Sequence, residues 1–446
     1  MDRRRLLAVS GALMAGALAG CTDLIRSRNG SITQASPGPK PDIQEGDLRE
    51  LVHQTNGFTF DLYRKIVDDA PDENLFASPL SVSSAIAMTY AGARENTRSQ
   101  MRDVLRYTLE DDELYDAFDT LQRKVAQRGD DVDVGTTQGE RYDEDDDPVP
   151  FELSLVNSVW GQEDYPFEDA YLEVLTEFFD SEVHEVDYTT DPEAVRETIN
   201  EWVADETEER IDELLPEDEI DELTRLVLVN AIYFFANWKH PFEESTTEEQ
   251  SFTALAGTEH EVPMMRQNRS WEYAEIDGTQ GVELPYIGDE VSMVVILPPP
   301  GTFNSYEQSF DGEVLADLVD ALDSRDGTVQ IPRFDYETNI ELGAILESMG
   351  MEDAFDPAEA DFGDMIHLEE VQETLSIDKV YHDGFVSVDE AGTEAAAATG
   401  VVMQALSAPA DPFEFRADRP FLFVIRDRAT DMILFVGRVV DPTDWE

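Results

Sequence analysis

The chain has 446 residues, 41% of them hydrophobic and 9% aromatic, and carries 99 Asp plus Glu against 31 Lys plus Arg, a formal net charge of -68. That balance excludes a nucleic-acid surface, because phosphate binding needs clustered positive charge. Such acidity reads either as disorder or as a folded surface suited to concentrated salt, where the Debye length shrinks to about 3 Å at 1 M and like charges barely repel. The apolar fraction and the periodic segments favour the second reading, as does lysine confined to Lys40, Lys65, Lys124, Lys239 and Lys379.

Residues 1–20 stand apart from any fold. Asp2-Arg3-Arg4-Arg5 is followed by an apolar stretch of small residues from Leu6 to Gly20. That stretch is too short for a membrane-spanning helix of about 20 residues. It ends in Leu18-Ala19-Gly20-Cys21 and resembles a twin-arginine export signal closed by a lipobox, which implies cleavage before Cys21 and a lipid on its sulfur. The alternative is an ordinary signal peptide with an incidental cysteine. Cys21 is the only cysteine, so no internal disulfide can form. Residues 21–47, with Pro37, Pro39 and Pro41, read as a polar tether.

A globular texture runs through residues 48–446. Phe58, Leu62 and Ile66 predict a helix that stops at Asp68-Asp69-Ala70-Pro71, and Ser81 to Met101 predicts a second. Residues 127–150 are rich in Gly, Asp and Glu with few apolar positions, and read as a solvated acidic insertion. Asn200 to Leu215 predicts a helix anchored by Trp202, Val203 and Ile211. Leu226 to Phe235 and Val291 to Leu297 predict strands buried on both faces. Leu342, Ile345, Leu346 and Met349 form a helix stripe closed by Gly350, and Phe421 to Ile425 and Ile433 to Val440 predict two final strands. With no repeat and no alternating strand–helix rhythm, the expectation is one large α+β domain with several sheets.

One segment gives contradictory signals. In Val388-Asp389-Glu390-Ala391-Gly392-Thr393-Glu394-Ala395-Ala396-Ala397-Ala398-Thr399-Gly400, the alanines favour helix, but Gly392 and Thr399-Gly400 leave too few residues for a stable one. With period two, Thr393, Ala395, Ala397 and Thr399 share one face, and Glu394, Ala396 and Ala398 the other. All the first-face residues are small. The strip reads either as a strand able to slip between two existing strands or as a short alanine-rich linker.

That run resembles the reactive-loop hinge of serpins, and the resemblance extends along the chain from about Leu48 to Thr443. Asn74-Leu75-Phe76-Ala77-Ser78-Pro79-Leu80-Ser81, Leu228-Val229-Asn230-Ala231-Ile232-Tyr233-Phe234 with Trp238 and Phe242, and Glu283-Leu284-Pro285-Tyr286 are similar to serpin segments. So are Ile331-Pro332-Arg333-Phe334, Phe415-Arg416-Ala417-Asp418-Arg419-Pro420-Phe421 and Leu434-Phe435-Val436-Gly437-Arg438-Val439. They also follow in the family's order.

The resemblance implies an inhibitor that a serine protease attacks as substrate, after which the cut loop inserts into a large central sheet and traps the acyl-enzyme. Such a protein supplies no catalytic residues and needs no metal or cofactor. It implies a reactive loop over residues 390–414, with the hinge at Glu390, Gly392, Thr393, Glu394, Ala395, Ala396, Ala397, Ala398 and Thr399. Ser78, Ser81, Asn230 and His382 fall on the shutter beneath the sheet, and Trp238 on the breach where insertion begins. Counting along the loop places the scissile bond at Leu406-Ser407, and a leucine there suits a protease of chymotrypsin or subtilisin type. The loop is about three residues longer than usual in the family, which leaves Met403, Gln404 and Ala405 as alternative cut positions. The expected protein is an extracellular, cell-surface monomer held to the membrane through Cys21. The alternative is a non-inhibitory serpin acting as a carrier or chaperone-like protein. A hydrolase is not expected, because the chain has no Gly-x-Ser-x-Gly elbow and no His-Glu-x-x-His pair.

Overall fold

Ser78 opens a buried helix by accepting a hydrogen bond from the Ser81 amide, and Pro79 at the first helical position costs no intrahelical bond. This is the second of ten helices in the computed structural model, which describes residues 45–128, 151–163, 165–179, 181, 183–207, 211, 213–217, 219–367, 375–393 and 412–444. All of them lie in one unit, Ile43–Glu446. Cys21, nearly all of the acidic insertion, Glu394 to Thr399 and Leu406-Ser407 fall outside the described residues.

The first half of the chain is mainly helical: α1 (Glu45–Asp69), β1 (Leu75–Ala77), α2 (Pro79–Tyr90), α3 (Glu95–Val104) and α4 (Asp111–Ala126). Then come β2 (Phe151–Gln162), α5 (Asp169–Phe178), β3 (Val183–Val186), α6 (Pro192–Glu206) and β4 (Leu226–Asn237). A strand-rich stretch follows, with β5 (Glu248–Thr253), β6 (Glu259–Ile276), β7 (Thr279–Pro285) and β8 (Val291–Leu297). Next are α7 (Phe303–Ser309), α8 (Gly312–Asp320), β9 (Asp323–Pro332), β10 (Phe334–Glu341), α9 (Gly343–Met349) and α10 (Glu352–Phe355). The chain closes with β11 (Lys379–Val388), β12 (Gly392–Thr393), β13 (Phe413–Arg416), β14 (Phe421–Asp427) and β15 (Met432–Val439).

Two expected helices have different bounds. Instead of one helix from Ser81 to Met101 there are two, because the chain turns at Gly92, where a Cβ would stand 2.6 Å from the Met365 Cβ. The Arg94 amide there bonds the Asp361 carbonyl instead of its own helix. The helix expected over Asn200 to Leu215 is instead α6, which starts at Pro192 on an Asp191 cap. Ile211, Leu214 and Leu215 are buried all the same. They lie on a segment that doubles back, with the Asn200 side chain bonding both the amide and the carbonyl of Leu215. One polar side chain thus replaces the helical bonds the segment lacks. Helix α1 starts at Glu45, ahead of residue 48 where the globular texture begins in the sequence.

Among the described residues the strands form two sheets. One runs β1-β15-β14-β8-β7-β6-β9-β13, with β5 paired to β6. The other, six-stranded, runs β10-β11-β12-β4-β2-β3. Its inner face packs on α2 and the main core, and its outer face carries a second cluster in which Val195, Ile199 and Val203 of α6 meet Val227, Val229 and Tyr381. α2 is buried at every position, and its Ser81, Ser83, Ser84 and Thr89 hydroxyls are each hydrogen-bonded. Gly350 ends α9 in the left-handed conformation, with φ 118°.

Candidate functional site

The six-stranded sheet has an unusual centre. β11 and β4 pair directly and in parallel from Lys379–Val227 to Gly384–Ile232, and then part. Into the gap comes β12, antiparallel to both, with Thr393 opposite Val388 on one side and Ala236 on the other. The sheet is a closed seam below and a wedge above. Among the described residues only Gly392 and Thr393 occupy the wedge as strand.

Below the wedge, a chain of hydrogen bonds crosses the seam. The Ser78 amide donates to His382 Nε2 at 3.0 Å, and Ser78 Oγ donates to the Leu434 carbonyl at 2.7 Å. A backbone N–H can only donate, so Nε2 is the acceptor and the proton sits on Nδ1, which donates to Asn230 Oδ1 at 2.5 Å. Asn230 Nδ2 in turn donates to Ser81 Oγ at 2.6 Å and to Asn157 Oδ1. His382, Asn230 and Asn157 stand in register on β11, β4 and β2. Burial holds His382 down at about 4, so the imidazole is neutral at pH 7 and works as a relay of hydrogen bonds. Ser78, Ser81, Asn230 and His382 are therefore linked in one hydrogen-bond chain, with Asn157 as a further member.

Above the wedge, Trp238 holds the turn that leads into β12. Its indole Nε1 donates to the Asp389 carbonyl at 3.0 Å, and its amide donates to the Ala391 carbonyl at 2.8 Å. Asp389 folds the turn by accepting from the Ala391 and Gly392 amides at 2.8 and 3.0 Å. Glu390 is gripped by Arg333 at 2.7 Å and by the Thr247 hydroxyl at 2.5 Å. Burial opposes its charge, but these donors outweigh burial and keep its carboxyl below the ordinary range. Gly392 is required here by space: a Cβ would lie 2.2 Å from the Ala236 carbonyl oxygen.

Thr393 falls within the expected reactive loop of residues 390–414, yet it is 1% exposed. Its hydroxyl bonds the Tyr286 hydroxyl at 2.8 Å, and the Tyr286 ring stacks on Trp238 with centroids 4.5 Å apart. Tyr286, Arg333 and Thr247 had no role assigned from sequence. Tyr286 and Arg333 do lie inside the family-like segments, so the signal was present; Asn157 and Thr247 carry none that a single sequence displays. Among the described residues no group of His, Cys, Asp or Glu is placed to hold a metal ion, and no helix is long and apolar enough to cross a membrane.

The fold is a mixed α+β domain whose six-stranded sheet takes in Gly392 and Thr393 as a short strand between β11 and β4. The model of the family described as Serpin (serine protease inhibitor) matches residues 53–442, and the chain belongs to that family. It is 36% identical over 412 residues to an uncharacterized serpin-like protein of Thermococcus kodakarensis, covering 92% of this chain and 90% of the relative. Among solved structures it resembles the thermophilic serpin tengpin in its native state, with TM-score 0.77 and 29% identity over 92% of this chain and 97% of that one. It also resembles uncleaved ovalbumin, with TM-score 0.75 and 27% identity over 88% of this chain and 100% of that one. Serpins usually inhibit serine proteases and are not themselves enzymes, although the family has non-inhibitory members such as ovalbumin.

Proposed function

We propose that this serpin inhibits serine proteases of chymotrypsin or subtilisin type by trapping them as acyl-enzymes. The observation that carries the reading is β12: the first small residue of the hinge strip already lies between β11 and β4, at the top of a seam that can open to receive the rest. The protease serine attacks the carbonyl of Leu406, the amine of Ser407 leaves, and an ester joins inhibitor to enzyme. The freed strip then extends β12 down the seam. The inhibitor contributes no base or nucleophile; it contributes a native state trapped above the inserted one.

Incubation with a panel of serine proteases tests this. A covalent complex that survives SDS is expected with chymotrypsin- or subtilisin-like members, and mass spectrometry should find the new N-terminus at Ser407. A cut outside residues 403–408 overturns the assigned bond. Cleavage by every protease without a complex overturns trapping, and leaves a carrier or chaperone-like role.

The acidic composition supports work in concentrated salt as a monomer. Cys21 supports a lipid anchor that holds the protein on the outer face of the membrane, with residues 21–47 as tether. Replacing Cys21 by Ser should then shift the protein from the detergent phase to the aqueous phase; identical partitioning of the two forms discards the anchor.

A further inference from the structure

Next to His382, but on the opposite face of β11, lies a carboxyl that the relay does not use. Asp383 is fully buried. Its Oδ2 accepts from Asn339 Nδ2 at 2.9 Å and the Gly384 amide also favours the ionised carboxyl, while Oδ1 has no well-placed hydrogen-bond partner among the described residues. Asn339 is its register partner on β10, and the same Nδ2 reaches the Leu214 carbonyl of the segment that returns from α6 to β4. Asp383 also pairs in register with Ala231 of β4, inside the stretch of seam that must part if a strand is to enter.

The charged groups around it give no relief. From β10, Glu337 is the group that acts on it, by its charge and by hydrogen bonding; Asp335 and Glu341 are further acids on the same face of that strand. From β11, Lys379 is paired with Glu219, and the Tyr381 hydroxyl donates to that same carboxylate. From α6 and the returning segment, Arg196 is paired with Glu193 and Glu213. Among the described residues no cation is left to hold Asp383 ionised. Burial and the neighbouring Glu337 push its carboxyl up to about 8. At neutral pH it keeps its proton and is a donor, and the exposed Glu337 side chain is its hydrogen-bond neighbour.

We propose that Asp383, clasped to Asn339 and Glu337 under the 213–217 segment, couples opening of the β4–β11 seam to release of a proton, so that the sheet opens more readily as pH rises. This deepens the insertion reading above and supplies its regulation. Parting the seam lifts the cover from Asp383, water reaches the carboxyl, and its affinity for the proton falls to that of an ordinary aspartate. The closed state binds one more proton than the open one. The stabilisation of the closed state is therefore complete below about pH 4, declines as pH rises, and is gone above about 8.

Amide hydrogen exchange tests the clasp without any protease. Exchange at Val227–Ile232 and Lys379–Gly384 is followed from pH 5 to 9 in the full protein and in Asp383→Asn, which is nearly isosteric and cannot ionise. The ratio of the two rates at each pH cancels the intrinsic chemistry of exchange. It should climb with pH by up to about tenfold per unit and level off near pH 8. The variant Glu337→Gln, on the exposed edge strand, removes the like charge and should move that levelling to lower pH, which keeps the proposal testable if Asp383→Asn does not fold. A ratio constant with pH, or a Glu337→Gln profile that superimposes on wild type, overturns the proposal. A synthetic peptide of residues 393–406 separates the two readings. If it enters the sheet of neither protein at any pH, insertion fails while the exchange ratio still decides the clasp; if it enters both at one pH-independent rate, the clasp fails and insertion stands.

Discussion

Asn230→Ala should be the most damaging single truncation in the sheet. Asn230 accepts from His382 Nδ1 and donates to Ser81 and Asn157, joining three strands and α2 through one buried side chain. Removing it strands the imidazole N–H at full burial and deprives two further polar groups of a partner. Each buried orphan costs about 1–3 kcal/mol, so the expected loss is roughly 3–5 kcal/mol. The damage falls on the seam itself, so the variant should also convert faster to inserted or self-associated forms on mild heating. Urea unfolding and size-exclusion chromatography after incubation measure the two effects. A variant within about 0.5 kcal/mol of wild type, the usual range for an unimportant surface change, would show that the relay does not hold the sheet shut.

Thr393→Arg should abolish trapping. From sequence alone the native state would be indifferent to this change; the buried position of Thr393 and its bond to Tyr286 alter that expectation. An arginine cannot occupy the site, so the two residues of β12 leave the sheet and the native state loses what they contribute. That amounts to the Tyr286 bond and a short ladder, about 1–3 kcal/mol. The inserted state cannot avoid the charge in the same way, because every later residue follows position 393 into the seam. Burying an unpaired guanidinium there costs several kcal/mol, and each 1.4 kcal/mol shifts the partition between trapping and release about tenfold. The variant should be cleaved and released as a substrate, with the SDS-stable complex lost. Thr393→Ala keeps the small side chain and should still trap. If the arginine variant traps as wild type does, insertion is not how this protein works.

The sequence made some parts of this structure plain and concealed others, for identifiable reasons. The strands over Leu226–Asn237 and Val291–Leu297 and the stop at Gly350 were legible because apolar runs and a left-handed glycine each have one cheap structural solution. The end of α6 was not legible, since Ile211, Leu214 and Leu215 have helical spacing while their backbone is satisfied from afar by Asn200. Family likeness supplied Ser78, Ser81, Asn230, Trp238 and His382, which the fold does assemble above and below the wedge. It could not show that Thr393 is already seated, because the difference between loop and strand there lies in long-range pairing with Ala236 and Val388. The Asp383 clasp was equally hidden: an aspartate between a histidine and a glycine in a strand gives no sign of which face it occupies or what covers it.

The two seated residues also fix a phase. Side chains alternate along an extended chain, and Thr393 has its side assigned by its bond to Tyr286. On the proposed mechanism, whatever follows it into the seam would inherit that parity: Ala395, Ala397 and Thr399 would go to the Thr393 side, and Glu394 to the other. The loop is thus indexed like a reading frame whose first letter is already in place. Length added in pairs next to the hinge preserves the sense of the strip, whereas a single added residue turns Glu394 towards the side reserved for small side chains. On the proposed mechanism, variation that tunes the loop for a new protease would be free beyond the strip and constrained to even steps within it.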